Sequence, residues 1–341
     1  RVMKISPSLK KLIIFARCIL LDMKKHLLIT LIAVILLPHL ADAQSWKRFR
    51  SQVIGGVGVT NFLGDLGGGP GIGRGFIWDL DLPATRPSLM IGYRYQFNSY
   101  LFGRANLQWG ILGADDDFTT ENFRNNRSLK FRTGYIELDL MTEFYFIQNS
   151  RGNLYKLRGI RGRNGLKIDV YAFGGIGFMY FNPKGEYQGS WHKLQPLGTE
   201  GQGLPGEPDK YSRTTFTIPY GMGIGKSIDR YWGINAELTF KHTFSDYIDD
   251  VSTEYYGRRR LATAYESQLS ADDINRLAFL SDPSSGLGAN EGKTFLDVLD
   301  PNRSDLIGQQ RGNPENNDSY MTLMFTVSRK IVKRRKSRPK F

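Results

Sequence analysis

The sequence predicts an all-β fold, an eight-stranded antiparallel transmembrane β-barrel with long external loops, preceded by a cleavable signal peptide. Three observations carry this expectation. Apolar residues recur at every second position in a series of segments, long and short connections alternate between those segments, and the longest apolar run lies ahead of the first of them. Composition agrees. The 341 residues include 13% aromatics and 40% hydrophobics, which excludes a disordered chain. A mean hydropathy of -0.35 argues against a bundle of membrane helices, each of which needs about 20 nearly uncharged apolar residues.

Residues 1–43 read as a leader. Met23-Lys24-Lys25-His26 supplies a positive start, Leu27 to Leu40 the apolar segment, and Ala41-Asp42-Ala43 a small-x-small cleavage site, so a mature start at Gln44 is expected. Met23 is the expected initiator, which leaves residues 1–22 as an upstream extension or a mis-set start. Cys18, the single cysteine, falls in that part. A mature chain without thiols excludes disulfides, thiolate zinc sites and a cysteine nucleophile. Of four histidines, His26 and His39 lie in the leader, leaving His192 and His242, and no His-Glu-x-x-His pattern is present. No catalytic residue, metal ligand or cofactor is therefore expected, and the protein is read as not an enzyme.

The strands follow in order from period-two patterning. Val53, Val57 and Val59 share one face of 52–60. Leu89, Ile91, Tyr93, Tyr95 and Phe97 alternate in 88–97, and after the turn Asn98-Ser99, Leu101, Ala105, Leu107, Trp109 and Ile111 alternate in 100–112. Ile136, Leu138, Leu140, Phe144 and Phe146 mark 133–147, whereas 167–181 is apolar or glycine on both faces. Phe216, Ile218, Tyr220, Met222 and Ile224 mark 213–226, with a local bulge expected at Pro219, which cannot donate to a ladder. Trp232, Ile234, Ala236, Leu238 and Phe240 mark 231–243, and Met321, Leu323, Phe325 and Val327 mark 319–329.

The connections 61–87, 113–132, 182–212 and 244–318 are long, while 98–99 and 227–230 are short; 148–166 is the exception among the turns. Short periplasmic turns and long external loops are the arrangement of barrels in the outer membrane of Gram-negative bacteria, with both termini periplasmic. The barrel is then 44–330 and a basic periplasmic tail is 331–341. On the polar parity, Arg94, Arg104 and Lys241 share an interior with Glu137, Asp139, Glu143 and Glu237. Eight strands leave room for side chains and little else, so these charges are expected to form a paired network that plugs the lumen.

The basic residues are one-sided. Lys47, Arg48 and Arg50; the run from Arg151 to Lys167; and the run from Arg329 to Lys340 carry 17 positive charges and no acid, more than the whole chain's net +13, so the remainder is net acidic. This topology puts all three at the periplasmic side, where no nucleic acid is met. A rim of Arg158, Arg161, Arg163, Arg334, Arg335 and Lys336 is the candidate docking surface for an acidic periplasmic partner; the alternative is a solvated rim facing outer-membrane lipid.

Other motifs weigh less. Gly67 to Gly75 lacks the Gly-Lys-Ser/Thr ending of a phosphate loop and reads as a flexible external loop. Asp115-Asp116-Asp117, and Asp246 with Asp249 and Asp250, could offer oxygen ligands to calcium, but neither has EF-hand spacing, and solvated loop acids are the better reading. Ser270 ahead of Ile274, Leu277, Ala278 and Leu280 predicts a capped amphipathic helix inside 244–318. His242 lacks a serine two residues on, the position being Phe244, which argues against an ester-hydrolase pairing along the strand.

Asn61-Phe62-Leu63-Gly64-Asp65-Leu66-Gly67-Gly68 after the first strand, the hairpin around Tyr93-Arg94-Tyr95 and Arg104-Ala105-Asn106, and Phe244-Ser245-Asp246-Tyr247-Ile248-Asp249-Asp250-Val251-Ser252-Thr253 after the seventh together resemble the outer-membrane barrels of the type IX secretion system, the PorG-like family. The resemblance covers roughly residues 46–256 and the last strand. It implies a non-enzymatic component attached to a periplasmic ring of a PorK-like lipoprotein and a PorN-like subunit, in bacteria that secrete adhesins and hydrolases or glide. The basic tail ending in Phe341 departs from the usual ending of such barrels at a terminal strand aromatic. The alternative is a stand-alone outer-membrane adhesin or ligand-binding barrel acting through its external loops.

Overall fold

In the computed structural model, residues 49–64, 66, 83–118, 127–148, 168–229, 231–284 and 306–332 are described. The leader, the Gly67–Gly75 loop, the docking rim and the basic tail beyond Val332 lie outside them. The strands are β1 (Ser51–Leu63), β2 (Arg86–Gln96), β3 (Leu101–Asp115), β4 (Lys130–Ile147), β5 (Asp169–Tyr187), β6 (Ser190–Lys193), β7 (Thr214–Ser227), β8 (Trp232–Thr243) and β9 (Ser319–Ile331). Every ladder is antiparallel. β1 pairs with both β2 and β9, and β4 pairs with β5, so the sheet closes on itself through β1, β2, β3, β4, β5, β7, β8 and β9. The eight strands read from period two are the eight staves. β6 is an extra: β5 runs past residue 181 and turns back in a hairpin that pairs Tyr187 with Ser190 and Lys184 with Lys193.

Alternation sets the two faces. Val57, Ile91, Leu140, Ile176, Phe216 and Phe325 point outward and are exposed, Ile176 and Phe216 by 63% each, while the residues between them are largely buried. An apolar surface that continuous would be untenable in water. A closed barrel satisfies its strand backbone groups without an edge, and the staves, 11 to 19 residues long, exceed the roughly 9–11 a tilted membrane strand needs. Among the described residues no helix is long and apolar enough to cross a membrane. The chain therefore forms an outer-membrane-type barrel that spans with strands.

The two short turns are built alike. Asn98 Oδ1 accepts from the amides of Tyr100 and Leu101, both at 2.8 Å, and Asp229 Oδ1 accepts from those of Tyr231 and Trp232, both at 2.6 Å. A short side-chain acceptor that mimics the backbone fixes each reversal and, with it, the register of the hairpin. The bulge expected at Pro219 is absent. The β5–β7 ladder lapses between Gly174↔Tyr220 and Gly177↔Thr217 and resumes in the same register, since the missing N–H removes a bond without adding a residue. The register shift falls instead between Tyr145 and Ile147.

At the opposite end the long connections fold inward. Ile248 and Val251, from the β8–β9 connection, are buried with Phe62, Leu66, Leu112, Phe131, Met179 and Tyr320 in an apolar cluster inside the mouth. Thr133 Oγ1 donates to the Ile248 carbonyl at 2.6 Å. The expected helix is α2 (Ala271–Ser281), with Ser270 Oγ accepting from the Asp273 amide at 3.2 Å. A preceding helix, α1 (Arg258–Tyr265), was not legible in the sequence. Leu277 of α2 meets Leu261 of α1 and Leu204, while Leu280 meets Tyr187 and Leu194 on the β5–β6 hairpin, so the extra hairpin is the shelf on which the helices rest.

Gly177 is a stave position where an added side chain would run into the interior polar groups. A Cβ there would lie 2.2 Å from Thr217 Oγ1 and 2.6 Å from Asp139 Oδ1, whereas one at Gly134 meets nothing within 4 Å. Gly177→Val should lower the fraction that migrates as the compact, heat-modifiable band on cold gels, and Gly134→Ala should leave that fraction unchanged.

Candidate functional site

Three polar nodes are stacked along the barrel. The first lies toward the short-turn end. Arg94 of β2 and Arg104 of β3 are cross-strand neighbours, a like-charge pairing that costs energy unless acids meet it. Glu143 of the adjacent strand β4 and Glu237 of β8, from across the lumen, do so: Arg94 Nε lies 2.8 Å from Glu143, Arg104 Nε 3.1 Å from Glu143, and Arg104 Nη1 2.6 Å from Glu237. Tyr171 donates its hydroxyl to Glu237 at 2.5 Å, and the guanidinium groups lie over rings, Arg94 at 5.5 Å from Tyr171 and Arg104 at 5.0 Å from Phe173. All four charged side chains are buried. Two bases meet two acids, so the node is balanced.

The second node centres on Lys241 of β8. Its Nζ donates to Glu137, to Asp139 at 2.8 Å and to Gln108 Oε1 at 2.9 Å. Glu137 also accepts from Thr217 Oγ1 and from the Tyr320 hydroxyl, each at 2.5 Å, and Gln108 Nε2 donates to Ser88 Oγ at 2.9 Å and the Tyr135 hydroxyl at 2.8 Å. The excess carboxylate charge is spread over hydroxyl donors. Thus Arg94, Arg104, Glu143 and Glu237 are brought together in one group, and Lys241, Glu137 and Asp139 in another. Together the nodes fill the lumen that an eight-stranded barrel leaves.

The third node sits at the long-loop end and was missed by sequence reasoning. Arg127 grips Asp116 with Nε at 2.7 Å and Nη2 at 3.0 Å, and its Nη1 donates to the Arg311 carbonyl at 2.9 Å. Arg311 Nη1 lies 2.9 Å from Glu200 Oε1, and Nη2 3.8 Å from Asp250. Thr199 Oγ1 donates to Asp250 Oδ2 at 2.5 Å, the Tyr211 hydroxyl donates to Asp250 Oδ1, and Glu200 accepts from the Ser252 amide at 3.0 Å. The Leu66 amide donates to Asp249 at 3.3 Å. Residues from all four long connections thus meet in one knot.

This corrects the reading of two acid clusters. Asp116, Asp246, Asp249 and Asp250 are not solvated loop acids: each is at least nine-tenths buried, and Asp116 and Asp250 are fully so. Asp117 alone of its triplet is exposed. Among the described residues no group of three His, Asp or Glu could hold a metal ion. Burial pushes the Asp250 carboxyl up to about 6 against the pull of Arg311, and the Arg311 guanidinium, which burial alone would weaken, is held charged by Glu200 and Asp250. Burial and the neighbouring Asp250 raise Tyr211.

His242 faces outward and shares a 3.1 Å contact between Nδ1 and the Oγ of Ser319, its cross-strand partner on β9. The pairing is across the ladder, where a scan along one strand could not find it. Its ring otherwise meets the Phe244 ring edge-on, 5.8 Å between centroids. Arg158, Arg161, Arg163, Arg334, Arg335 and Lys336 lie outside the described residues.

The site and fold together define a class: a small membrane barrel with a charge-filled lumen and a mouth knotted at its long-loop end. No protein-family model matches the chain, and no curated protein matches it in sequence. Among solved structures, it is similar to Ail, the attachment invasion locus protein of Yersinia pestis, at 10% identity over 83% of this chain and 99% of that one, TM-score 0.34. Neisserial surface protein A is similar at 9% identity over 82% and 97%, TM-score 0.36. The N-terminal β-barrel domain of Pseudomonas aeruginosa OprF is similar at 8% identity over 82% and 98%, TM-score 0.30.

Removing one partner of a buried ion pair costs about 3–5 kcal/mol, because the other charge stays buried. Glu143→Leu and Glu237→Leu should therefore lower the urea midpoint of the refolded barrel strongly. Asp116→Ala belongs with them, since it strands Arg127, while Asp117→Ala should stay within about 0.5 kcal/mol of wild type.

A raised carboxyl pKa favours the folded form most where the group is protonated. Asp250's contribution is thus fully present below its ordinary value of 3.8 and fades as pH rises through about 6. Amide exchange at residues 248–252, corrected for intrinsic rates, should show the wild-type cap gaining protection relative to Asp250→Asn as pH falls from 7 to 4.

Proposed function

We propose that this chain is a non-enzymatic outer-membrane component of a protein secretion machine of the type IX class, docking periplasmic ring subunits, PorK-like and PorN-like, through a basic face at its short-turn end. One observation carries the reading: the lumen is filled by paired charges and the outer mouth is tied shut by the Asp250–Arg311–Glu200 knot, so the described barrel offers no passage, and its work falls to its surfaces. Of those surfaces, the short-turn end is flanked by the acid-free runs 47–50, 151–167 and 329–341. The motif resemblance supplies the type IX assignment. In this orientation both termini are periplasmic and the long connections external.

The long-loop end favours a second reading, an adhesin or ligand-binding barrel. A cavity of about 650 Å³ opens there between Tyr247, Tyr256, Glu254, Arg260, Ile307 and Gln310. Ligand sites commonly have this size and this mix of aromatic and polar lining.

Neutralising Arg158, Arg161, Arg163, Arg334, Arg335 and Lys336 together separates the two. The barrel should still insert and stay heat-modifiable, while retention of ring proteins and secretion fall. The loss should be partial for single changes and steeper in high salt, since exposed charges are screened over about 8 Å at physiological ionic strength and less above it. Full retention and secretion by the neutralised barrel would exclude this docking face.

A further inference from the structure

The outer surface carries a notch in its apolar belt, and it has a charged lip. Val53 of β1 stands opposite Arg329 of β9, which stands opposite Trp232 of β8; one outward step deeper, Gly55 stands opposite Val327. Two residues along a strand are about 7 Å. Gly55 thus removes a side chain from the belt just below Arg329, and a Cβ built there meets nothing within 4 Å. The result is a groove of about 810 Å³ with Val53, Val327 and Ile331 on its floor and Trp232 and Arg329 at its lip.

Arg329 is exposed and lies over the Trp232 ring, 5.2 Å from its centroid. No carboxylate of the described residues pairs with it, although it sits on the face of a strand whose neighbouring outward residues are apolar. Stacking holds its planar fork at the edge of the belt, the depth at which headgroups lie, and a guanidinium so held matches a phosphate with two parallel hydrogen bonds. Lys226, outward on β7 at the same end, adds a second exposed cation.

We propose that this groove is a binding site for an anionic phospholipid of the leaflet at the short-turn end, its phosphate on Arg329 and an acyl chain laid over Gly55. The occupant follows from position and charge. The groove is continuous with the lipid-facing belt, and the closed ladder there leaves no strand edge for a peptide to extend. The cationic lip selects among lipids in favour of net negative headgroups. This site is independent of the ring-docking reading and stands or falls without it.

The test uses the full mature barrel in detergent, incubated with phosphatidylglycerol or phosphatidylethanolamine of identical chains and released for native mass spectrometry. Wild type should retain phosphatidylglycerol about fivefold over phosphatidylethanolamine, the scale of one basic side chain at an anionic surface. Arg329→Gln should reduce that preference to near unity. Gly55→Leu should abolish retention of both lipids while the protein stays heat-modifiable, because the added side chain fills open space. Equal retention of the two lipids by wild type overturns the proposal, as does undiminished phosphatidylglycerol binding by either variant. A wild-type dimer that Gly55→Leu dissolves would overturn it as well, by naming a second copy as the occupant.

Discussion

Everything in this molecule depends on closing eight strands into a ring. Closure satisfies the backbone of every stave within the sheet, which is what allows the outer face to be apolar, and it sets an interior only as wide as side chains can fill. The interior residues are polar because each strand that shows Leu or Ile outward must show its alternate residues inward. A polar interior with little room for water is stable only if its charges meet. The pairing of Arg94 and Arg104 with Glu143 and Glu237, and of Lys241 with Glu137 and Asp139, is therefore a condition of closure rather than an addition to it. Such pairs add little stability compared with a well-packed apolar core, but they penalise any register that separates them. A one-residue slip of β8 would turn Glu237 and Lys241 to the lipid and break both nodes at once.

The mouth at the long-loop end extends the same logic beyond the sheet. Ile248 and Val251 enter the barrel as an apolar stopper, and a descending segment must bring its backbone with it. The buried polar groups of that segment are met one by one. Asp318 accepts from the Ile248 amide at 2.9 Å, Thr133 donates to the Ile248 carbonyl, and Glu200 accepts from the Ser252 amide. Arg311 then holds Glu200 and Asp250 while its own carbonyl accepts from Arg127. Arg127 and Arg311 alone are 184 positions apart in the chain, yet the ends of β3, β4, β5, β8 and β9 deliver all these residues to one place.

How much of this was legible follows from distance along the chain. Strand alternation is a property of neighbours two apart, so the staves, their outward faces and the helix capped by Ser270 could be read from local sequence. Asp116 and Asp250 could not. Three acids in a row, or two beside a tyrosine and an isoleucine, look solvated until Arg127 and Arg311 are known to stand against them. Pro219 shows the limit from another side: its missing donor was read as a bulge, but a closed ladder with fixed hairpin turns at both ends absorbs one lost bond more cheaply than a shift of register. Neither α1 nor β6 has an amphipathic signal strong enough to read, since each is held by packing against α2 and β5.

A filled lumen and a tied mouth leave three surfaces to the molecule, and they differ in kind. The long-loop end is rigidly knotted at its base, so what its outer cavity presents is fixed by the barrel beneath it. The belt is largely apolar, and the groove over Gly55 beneath Arg329 lies at the end opposite the knot. That end also holds Arg50, Arg329 and Lys330, the described members of the acid-free basic runs. Charges that served only solubility would be spread over both ends, because screening limits each to its own neighbourhood. Among the described residues, Arg50, Arg329 and Lys330 stand at the short-turn edge of the belt, whereas Asp116, Asp249 and Asp250 are drawn into the knot at the other end, so the two ends offer opposite charge to whatever meets them.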